Sequence, residues 1–473
     1  MTQAAAPLEV LFELDPWEGT CELEAPATTL PDWLDGTCYF NGPGAFRKGE
    51  LAYRHWLDGD GIVSALTLGQ GRQRFTRRFV ASTKRQDEAA AGRALYRTFG
   101  TAFEGDRLRR GLGLESPVNV SAVPFSGTLL AFGEQGLPWS LDPVTLETRG
   151  EHTFGGRLNA ISPLSAHPCI DPESGEMFNF GLSYAARRPL LNLYRFAADG
   201  ELLSRRRIGL PYPCSIHDFG LSRRFATFYV NPHLLDVASL MNDGRAVLDS
   251  LSWQPDLGSQ LLVVDRESGA ETARLDIAGR ACLHHIHSFE ADGLLFIDVL
   301  ELDEPAYEQY QPLPSLYATV AAGRPTRFVV DPEASRLLEE RRLPYDSAPD
   351  FPAFDSRLAD RDYDDFWFLG ISERARPGAK FFDQLCHLRW SDEGQDLWTC
   401  PAGQVLASEP IFAGRPGRPG EGLIICHLFD LAARRSEMLF FDAGEVAAGP
   451  RHRLTLPAAI TACFHGTFAA SSA

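Results

Sequence analysis

Four of the twelve histidines lie among apolar residues at the edges of strand-like segments. They are His167, His217, His284 and His465, in the sequences Ser-Ala-His-Pro, Ser-Ile-His-Asp-Phe, Leu-His-His-Ile-His and Cys-Phe-His-Gly. A buried neutral imidazole needs a partner for each ring nitrogen. One metal ion shared by the four rings would satisfy a nitrogen of each, and imidazole binds Fe, Zn, Cu and Ni alike. The histidines alone leave two interpretations open, which are a metal site and four unrelated core histidines.

Two further features bear on which side chains would bind a metal. His285 and His287 share the strand face opposite His284, so a shift of one residue in register would change the ligand. Cysteines also lie two residues from three of the histidines, on the same face of an extended strand, and mixed Cys/His ligation favours zinc. These cysteines are Cys169, Cys282 and Cys463. The other histidines stand alone in polar or turn sequences typical of surface or satisfied core positions; they are His55, His152, His233, His387, His427 and His452.

The elements that would carry these histidines are short β-strands. Apolar runs with partial period-two alternation recur along the chain and are separated by clusters of Asp, Gly, Pro and Ser, which favours hairpins. The clearest turn sequences are at 141–143, 171–175, 198–200, 265–269, 291–293, 331–333 and 391–394. So many hairpins predict an all-β fold built by radial repetition of small antiparallel sheets, a β-propeller. Widely separated segments of a propeller meet at its axis, where the four histidines could converge.

Helical or loop-like character is confined to 82–114 and 231–251, and no linker divides the chain. We therefore expect one domain over residues 1–473, with 1–30 as an N-terminal extension. Within 231–251, Leu234, Leu235 and Leu240 are compatible with an apolar helical face. This face would be either a peripheral membrane contact beside the entrance of a lipophilic substrate or the packed side of a core helix.

Charge and composition exclude some functions. The formal net charge of −18 argues against nucleic acid, because phosphate binding depends on clustered Lys and Arg. Nine cysteines without a C-x-x-C pair do not form a disulfide framework. The sequence shows neither a secretion signal nor an apolar run of the roughly twenty residues needed to cross a bilayer. A cytoplasmic protein is expected, and the oligomeric state stays open.

Together the motifs resemble the carotenoid cleavage oxygenase family, which also includes retinoid isomerase and stilbene-cleaving members. They occur in the family's order at 30–37, 41–44, 55–61, 129–134, 166–168, 171–178, 217–219, 284–290, 408–412 and 464–468. The resemblance implies a seven-bladed β-propeller with a few loops and short helices over the metal face. It also implies Fe(II) held by His167, His217, His284 and His465. The outer N–H groups of these ligands would donate to Glu134, Asp350 and Glu409.

Two positions depart from the family pattern. Asp350 stands where the family usually has glutamate, so we expect its shorter side chain to reach its histidine through water or a backbone shift. His287 replaces the family's asparagine.

The implied activity is cleavage of a C=C bond by O2, which gives two carbonyl products without an acid or base from the protein. The 31 phenylalanines are ample for an apolar substrate tunnel, although they could equally fill the core. Stilbene-cleaving relatives have a lysine before the strand that leads to the first outer glutamate. Thr128 holds that position here, which favours a carotenoid or apocarotenoid. A phenylpropenoid or stilbene substrate, or a non-catalytic binding propeller, are the alternatives.

Overall fold

The structure is a computed structural model that describes residues 8–471 except 27–28, 70, 111–112, 185–187, 318, 346, 360 and 376–380. The described residues form seven sheets of four or five antiparallel strands, one for each blade of a propeller. They include two α-helices, α1 at Thr83–Ala91 and α2 at Val237–Asn242. The prediction of an all-β propeller is confirmed, and the structure supplies the blade number that the sequence pattern left open.

The seven blades are numbered along the chain. The strands are given in spatial order. Blade 1 contains Gly19–Glu22, Arg72–Phe79, Gly61–Gly69, Gly36–Pro43 and Gly466–Ala470, and blade 2 contains Thr148–Glu151, Trp139–Leu141, Thr128–Phe132 and Ser121–Phe125. Blade 3 contains Cys169–Ile170, Met177–Ser183, Leu190–Phe196 and Leu202–Gly209, and blade 4 contains Gly220–Leu221, Phe225–Val230, Ser259–Asp265 and Glu271–Ile277. Blade 5 contains Ala281–Ala291, Leu294–Leu302, Gly323–Asp331 and Arg336–Arg342; blade 6 contains Asp350–Ala353, Asp365–Gly370, Gln384–Arg389 and Gln395–Thr399; blade 7 contains Gln404–Leu406 and Ile411–Gly414, both paired with Gly422–Asp430, then Arg435–Asp442 and His452–Thr455.

Smaller elements lie between the blades. Two-stranded hairpins pair Arg47–Lys48 with Leu51–Ala52, Arg109–Arg110 with Gly113–Leu114, His233–Leu235 with Leu251–Trp253, and Tyr310–Gln311 with Leu316–Tyr317. Short 3-10 helices occupy Leu8–Phe12, Trp56–Asp58, Leu248–Ser250, Pro255–Leu257, Ala306–Gln309, Ser356–Leu358, Glu373–Ala375 and Val446–Ala448.

All seven predicted turns connect antiparallel neighbours within a blade, so these hairpin predictions are confirmed. Central strands such as Phe225–Val230 are buried at every position, because neighbouring blades cover both of their faces. The outermost strand Leu202–Gly209 instead alternates between partly buried and exposed residues at its start. This difference explains why the sequence shows continuous apolar runs beside alternating ones.

The ring is closed by hydrogen bonds between the two ends of the chain. Gly466–Ala470 pairs antiparallel with Gly36–Pro43 in blade 1, with Tyr39 opposite Thr467. Gly19–Glu22, within the segment predicted as an N-terminal extension, forms an edge strand of the same blade. His465 immediately precedes the closing strand, so closure of the ring also sets the position of this histidine.

The two helices lie in the regions predicted to be helical or loop-like. The side chain of Ser82 accepts a hydrogen bond from Arg85 N at 3.3 Å and caps α1, and Gly92 ends α1 in the left-handed conformation at φ 64°. None of the helices in the described ranges is long and apolar enough to cross a membrane.

The lipid-facing surface predicted around α2 is wrong for two of its three leucines. Leu235 and Leu240 are only 4% and 5% exposed, because they pack into the protein and line an internal cavity. Both side chains are therefore packed within the protein, Leu240 on α2 and Leu235 in the strand His233–Leu235 that precedes it.

A buried ion cluster joins α1 to the 55–61 motif. Lys84 Nζ lies 2.7 Å from Asp60 Oδ1 and 3.0 Å from Glu88 Oε2, and Lys84 and Glu88 are completely buried. Burial disfavours the charged lysine, but Asp60, Tyr53 and Glu88 together more than compensate, so the pKa of Lys84 is raised. Lys84 is the buried cation that both carboxylates share, since Lys48 and Arg85 lie 3.6 Å from Asp60 and are partly exposed.

We predict that Lys84→Met lowers the free energy of unfolding by about 3–5 kcal/mol, because it leaves buried carboxylates without their cation. The matched control is Lys48→Met. Lys48 Nζ lies 3.6 Å from Asp60 Oδ2 but is partly exposed, so its loss should cost about 1 kcal/mol or less. Urea unfolding monitored by circular dichroism measures both values. Equal losses in the two variants would contradict the assignment.

Candidate metal centre

The four candidate histidines lie at the inner ends of four blades. His167 and His217 come just before the inner strands Cys169–Ile170 and Gly220–Leu221, and His465 comes just before Gly466–Ala470. His284 lies within the inner strand Ala281–Ala291 of blade 5. The inner strands of a propeller surround its axis, so imidazoles from distant parts of the chain converge there.

The four imidazoles form a compact buried cluster. One nitrogen of each ring lies within 4.8 Å of the corresponding nitrogen of every other ring. His167 Nε2 and His217 Nε2 are 2.8 Å apart, and His284 and His465 are 2% and 7% exposed. Nitrogens on opposite sides of a metal ion, each bound at about 2.1 Å, would be roughly 4.2 Å apart. The cluster therefore has the dimensions of a metal site.

Carboxylates contact the outer nitrogen of three of these histidines. Glu134 Oε2 lies 3.0 Å from His217 Nδ1, and Asp350 Oδ1 lies 2.5 Å from His284 Nδ1. Glu409 Oε1 is 3.3 Å from His465 Nδ1. When Nδ1–H donates to a carboxylate, the lone pair of Nε2 is free to bind a metal. The structure thus brings Glu134, Asp350 and Glu409 to the positions expected of outer carboxylates.

The fourth histidine faces a carboxylate that the sequence analysis did not single out. His167 Nδ1 lies 3.5 Å from Asp218 Oδ1. Asp218 is held in place because its oxygens accept the backbone N–H of Phe219 at 2.7 Å and of His285 at 2.8 Å. The sequence did contain a signal, since Asp218 directly follows His217 between apolar residues.

Asp350 reaches its histidine directly, without a bridging water. The pairing register of its strand shifts between Asp350 and Ala353, and Phe351 adopts a left-handed φ of 54°. Phe351 N–H also donates to Asp350 Oδ1 at 2.9 Å. Of the two routes expected for the shorter side chain, the water bridge is wrong and an irregular backbone accompanies the direct contact.

Neither the neighbouring histidines nor the cysteines join the cluster. The strand that carries His285 and His287 has register shifts on both sides of His285, and both side chains line a separate cavity on the propeller axis. Cys282 Sγ donates to His284 O at 3.3 Å, and Cys463 Sγ donates to Thr461 O at 3.6 Å. Across the described ranges, the metal-sized group contains imidazoles and no thiol.

The imidazoles of the cluster lie within a shell of anions. Burial and the neighbouring imidazoles hold the pKa of His167 well below its usual value. Burial also disfavours a charged His284, but Asp350 and other nearby carboxylates together raise the pKa of this residue. Burial raises the pKa of Glu134, but His217 and the other nearby histidines together lower it below its usual value, so this carboxyl stays ionised. The same balance, with His284 as the partner, lowers the pKa of Asp350. These anions would offset the charge of a cation held by four neutral ligands.

The donor set fits a metal ion. His284 Nε2 is buried and has no hydrogen-bond partner among the described residues, while its Nδ1 is occupied by Asp350. An orphaned buried nitrogen is costly unless a ligand uses it. A metal ion bound by the four convergent imidazoles, three of which contact a carboxylate through Nδ1, would use this nitrogen.

Cavities of different character lie beside the cluster. The aromatic cavity is bounded by His217, His284 and His465 and by the apolar side chains Trp56, Leu57, Val120, Phe351, Phe381, Phe382 and Phe464. An axial cavity contains the charged side chains Asp218, Arg266 and Glu409, with His167 and His285, beside several apolar side chains. A third, largely apolar cavity shares Leu57 and Glu134 with the aromatic cavity and continues to Leu235 and Leu240. An apolar molecule would be favoured in the aromatic cavity, beside three of the imidazoles.

Thr128 does not line these cavities. Its hydroxyl donates to Leu141 O at 3.0 Å and lies 2.7 Å from Ser140 Oγ, within the sheet of blade 2. The structure therefore adds no contact that supports the substrate preference inferred from this position, and that preference stays a prediction.

The fold and the site agree with the comparisons to known proteins. The family model described as retinal pigment epithelial membrane protein matches residues 15–470. The apocarotenoid-15,15'-oxygenase of Synechocystis sp. is 28% identical, with 97% of this chain and 95% of that protein covered. Isoeugenol monooxygenase of Pseudomonas nitroreducens is 27% identical, with 92% of each chain covered. Resveratrol cleavage oxygenase 1 of Aspergillus fumigatus is 28% identical, with 93% of this chain and 90% of that protein covered.

Solved structures show the same relationship. The structure of cobalt-substituted Synechocystis apocarotenoid oxygenase has a TM-score of 0.89 and 26% identity, with 99% of this chain and 100% of that chain covered. The chain belongs to the retinal pigment epithelial membrane protein and carotenoid cleavage oxygenase family, as its motifs predicted. It is an enzyme of the oxygenase class that this family comprises.

We predict that alanine at His167, His217, His284 or His465 lowers bound metal below one tenth of the wild-type content, because each variant removes one of four donors. The matched control is His285→Ala, which removes an adjacent buried imidazole outside the cluster and should retain the metal. Elemental analysis of the purified proteins measures the content. Full metal content in the His284 variant together with loss of metal in the His285 variant would show that His285, and not His284, is the ligand.

The outer carboxylates give a second prediction for the site. We expect Glu134→Gln, Glu409→Gln and Asp350→Asn to weaken metal affinity roughly ten- to a hundredfold, because the orienting contact of a ligand is lost. Competition with a chelator measures the affinity. Asp365→Asn is the control, since Asp365 Oδ1 contacts His387 Nε2 at 2.7 Å in blade 6, away from the cluster. Wild-type affinity in all three site variants would remove these carboxylates from the metal centre.

Proposed function

We propose that the chain is a non-haem Fe(II) dioxygenase that cleaves a C=C bond of an apolar carotenoid or apocarotenoid. The observation that carries the proposal is the four-imidazole cluster, backed by carboxylates and opening onto an aromatic cavity. Family membership supports it, and so does the similarity to a protein named apocarotenoid-15,15'-oxygenase.

The proposed iron ligands are His167, His217, His284 and His465. Imidazole suits iron as well as zinc or copper, so the choice of iron rests on the family. Iron bound there would supply the activation of O2 for reaction with the double bond. The carboxylates Glu134, Asp350 and Glu409 would keep the Nδ1 protons of three ligands outward and would compensate the metal's charge. Asp218 is suited to the same task for His167.

The protein's remaining contribution is binding and the exclusion of water. Trp56 and Phe464 have ring centroids 4.4 Å apart, and Phe351 lies 5.4 Å from His284. These rings would hold an extended conjugated chain against the histidine cluster through apolar and π contacts. Each carbon of the cleaved double bond receives one oxygen atom of O2 and becomes a carbonyl. The balance requires neither a proton nor an external reductant, so no side chain has to act as a general acid or base.

A second candidate substrate is a phenylpropenoid or stilbene. Relatives named isoeugenol monooxygenase and resveratrol cleavage oxygenase are almost as similar to this chain as the apocarotenoid oxygenase is. The proposed reaction is the same, and only the molecule that fills the cavity differs. A non-catalytic binding propeller is the third possibility, and it predicts no O2 consumption after iron is supplied.

We predict that the iron-loaded protein consumes one O2 for each pair of carbonyl products from at least one member of a panel of apocarotenals, stilbenes and isoeugenol. Under ¹⁸O2, mass spectrometry of products trapped before exchange with water should find one labelled oxygen in each. The His284→Ala variant is the control for adventitious iron. Failure of the iron-replete protein to turn over every member of the panel would favour the binding propeller. Turnover of the phenolic members alone would favour the second candidate substrate.

A further inference from the structure

A short segment between the strands of blade 5 carries three tyrosines, two of which line the aromatic cavity. Tyr307 lies in the 3-10 helix Ala306–Gln309, and Tyr310 stands opposite Tyr317 in the hairpin that follows. The segment is tied to the residue just before the 55–61 motif, because Leu313 N–H donates to Arg54 O at 2.8 Å. His55 stacks on Tyr310 with ring centroids 3.9 Å apart. These contacts fix the tyrosines relative to the cavity wall.

The three phenol groups differ in how their hydroxyls are used. Tyr310 Oη accepts Trp56 N–H at 3.0 Å and donates to Arg54 O at 3.2 Å, so its hydroxyl is fully engaged by the backbone. Tyr307 and Tyr317 line the aromatic cavity, and neither hydroxyl hydrogen-bonds to any described residue. Both side chains are partly buried, and a tyrosine in such a position usually finds a partner for its hydroxyl. Two neighbouring hydroxyls without one point to an acceptor that is not part of the protein.

Both hydroxyls are competent donors. Burial raises the pKa of Tyr307, and the nearby Glu134 and Tyr317 raise it further. Burial and then Asp350 raise the pKa of Tyr317. The phenols therefore keep their protons at neutral pH and offer O–H groups to an oxygen acceptor. The carboxylates Glu134 and Asp350 also line this cavity, but they contact His217 and His284 and can only accept hydrogen bonds when ionised. Tyr307 and Tyr317 therefore supply the hydroxyl donors of the cavity wall.

We propose that the hydroxyls of Tyr307 and Tyr317 bind an oxygen atom of the substrate, a carbonyl or hydroxyl at one end of a conjugated chain. The hydrogen bonds would fix how far the chain extends past the histidine cluster and hence which double bond lies beside it. This inference rests on the proposed function and deepens it.

The test compares two ligands that differ in one group. Retinal carries an aldehyde oxygen, and the hydrocarbon of the same carbon skeleton has a methyl group in its place. Binding to the metal-loaded protein is measured without O2, by quenching of tryptophan fluorescence, since Trp56 lines the cavity. The proteins are wild type, Tyr307→Phe, Tyr317→Phe, the double variant, and Tyr310→Phe as the matched control.

We expect the wild type to bind retinal about tenfold more tightly than the hydrocarbon, because each net hydrogen bond of this kind strengthens binding a few-fold. The double variant should bind both ligands equally, because it lacks both hydroxyls. The hydrocarbon affinity should stay unchanged in the double variant. Each single variant should lose part of the preference, which keeps the test decisive if the double variant does not fold. Tyr310→Phe should retain the wild-type ratio of the two affinities, because its hydroxyl contacts only the backbone.

Other outcomes separate this inference from the proposed function. An equal preference for retinal over the hydrocarbon in wild type and double variant would overturn the role of the tyrosines. Water molecules would then be the partners of both hydroxyls. Cleavage of retinal or its longer homologues by the same proteins in air would leave the proposed function standing in that case. Failure of the wild type to bind either ligand would overturn both.

Discussion

Each buried imidazole of the cluster has two nitrogens, and the structure is arranged so that both are used. A carboxylate lies at the outer nitrogen and leaves the inner nitrogen for a metal ion, as in the pairs Glu134–His217 and Asp350–His284. This requirement sets tight limits on the backbone, because each ligand and the carboxylate that it contacts come from different parts of the chain. The seven-bladed ring meets these limits by bringing the inner strands together around one axis.

Closure of the ring couples the stability of the fold to the geometry of the site. His465 lies between two contacts that depend on closure. Its backbone N–H donates to Val120 O at 3.2 Å in blade 2, and its carbonyl accepts Asn41 N–H at 3.2 Å in blade 1. A ligand held in this way moves only if two blades separate. Ring closure therefore holds one of the four histidines, His465, in place. Local motion near the C-terminus would displace this donor from the cluster.

Much of this arrangement could be predicted from the sequence, because its signals are local. Turn sequences such as 171–175 and 265–269 gave the hairpins, and apolar surroundings marked the four histidines. The blade number, the ligand set and three outer carboxylates came only through the resemblance to a family, since they depend on contacts between distant residues. Asp218 was missed although it adjoins His217, because an aspartate after a ligand has no periodicity to distinguish it. The sequence left the surroundings of Leu235 and Leu240 open, because an apolar segment looks the same whether lipid or protein covers it.

The unequal surroundings of the cluster decide where a substrate can lie. Trp56, Phe351 and Phe464 face it from one cavity, where water gains few hydrogen bonds and a conjugated chain gains contact with aromatic rings. The axial cavity contains Asp218, Arg266 and Glu409 beside its apolar side chains, and an apolar molecule there would desolvate charged groups without compensation. An apolar molecule would therefore be favoured on the aromatic side of the cluster and disfavoured on the side with the charged groups. Because both cavities adjoin the histidine cluster, this contrast would place such a molecule without any contact that recognises a double bond itself.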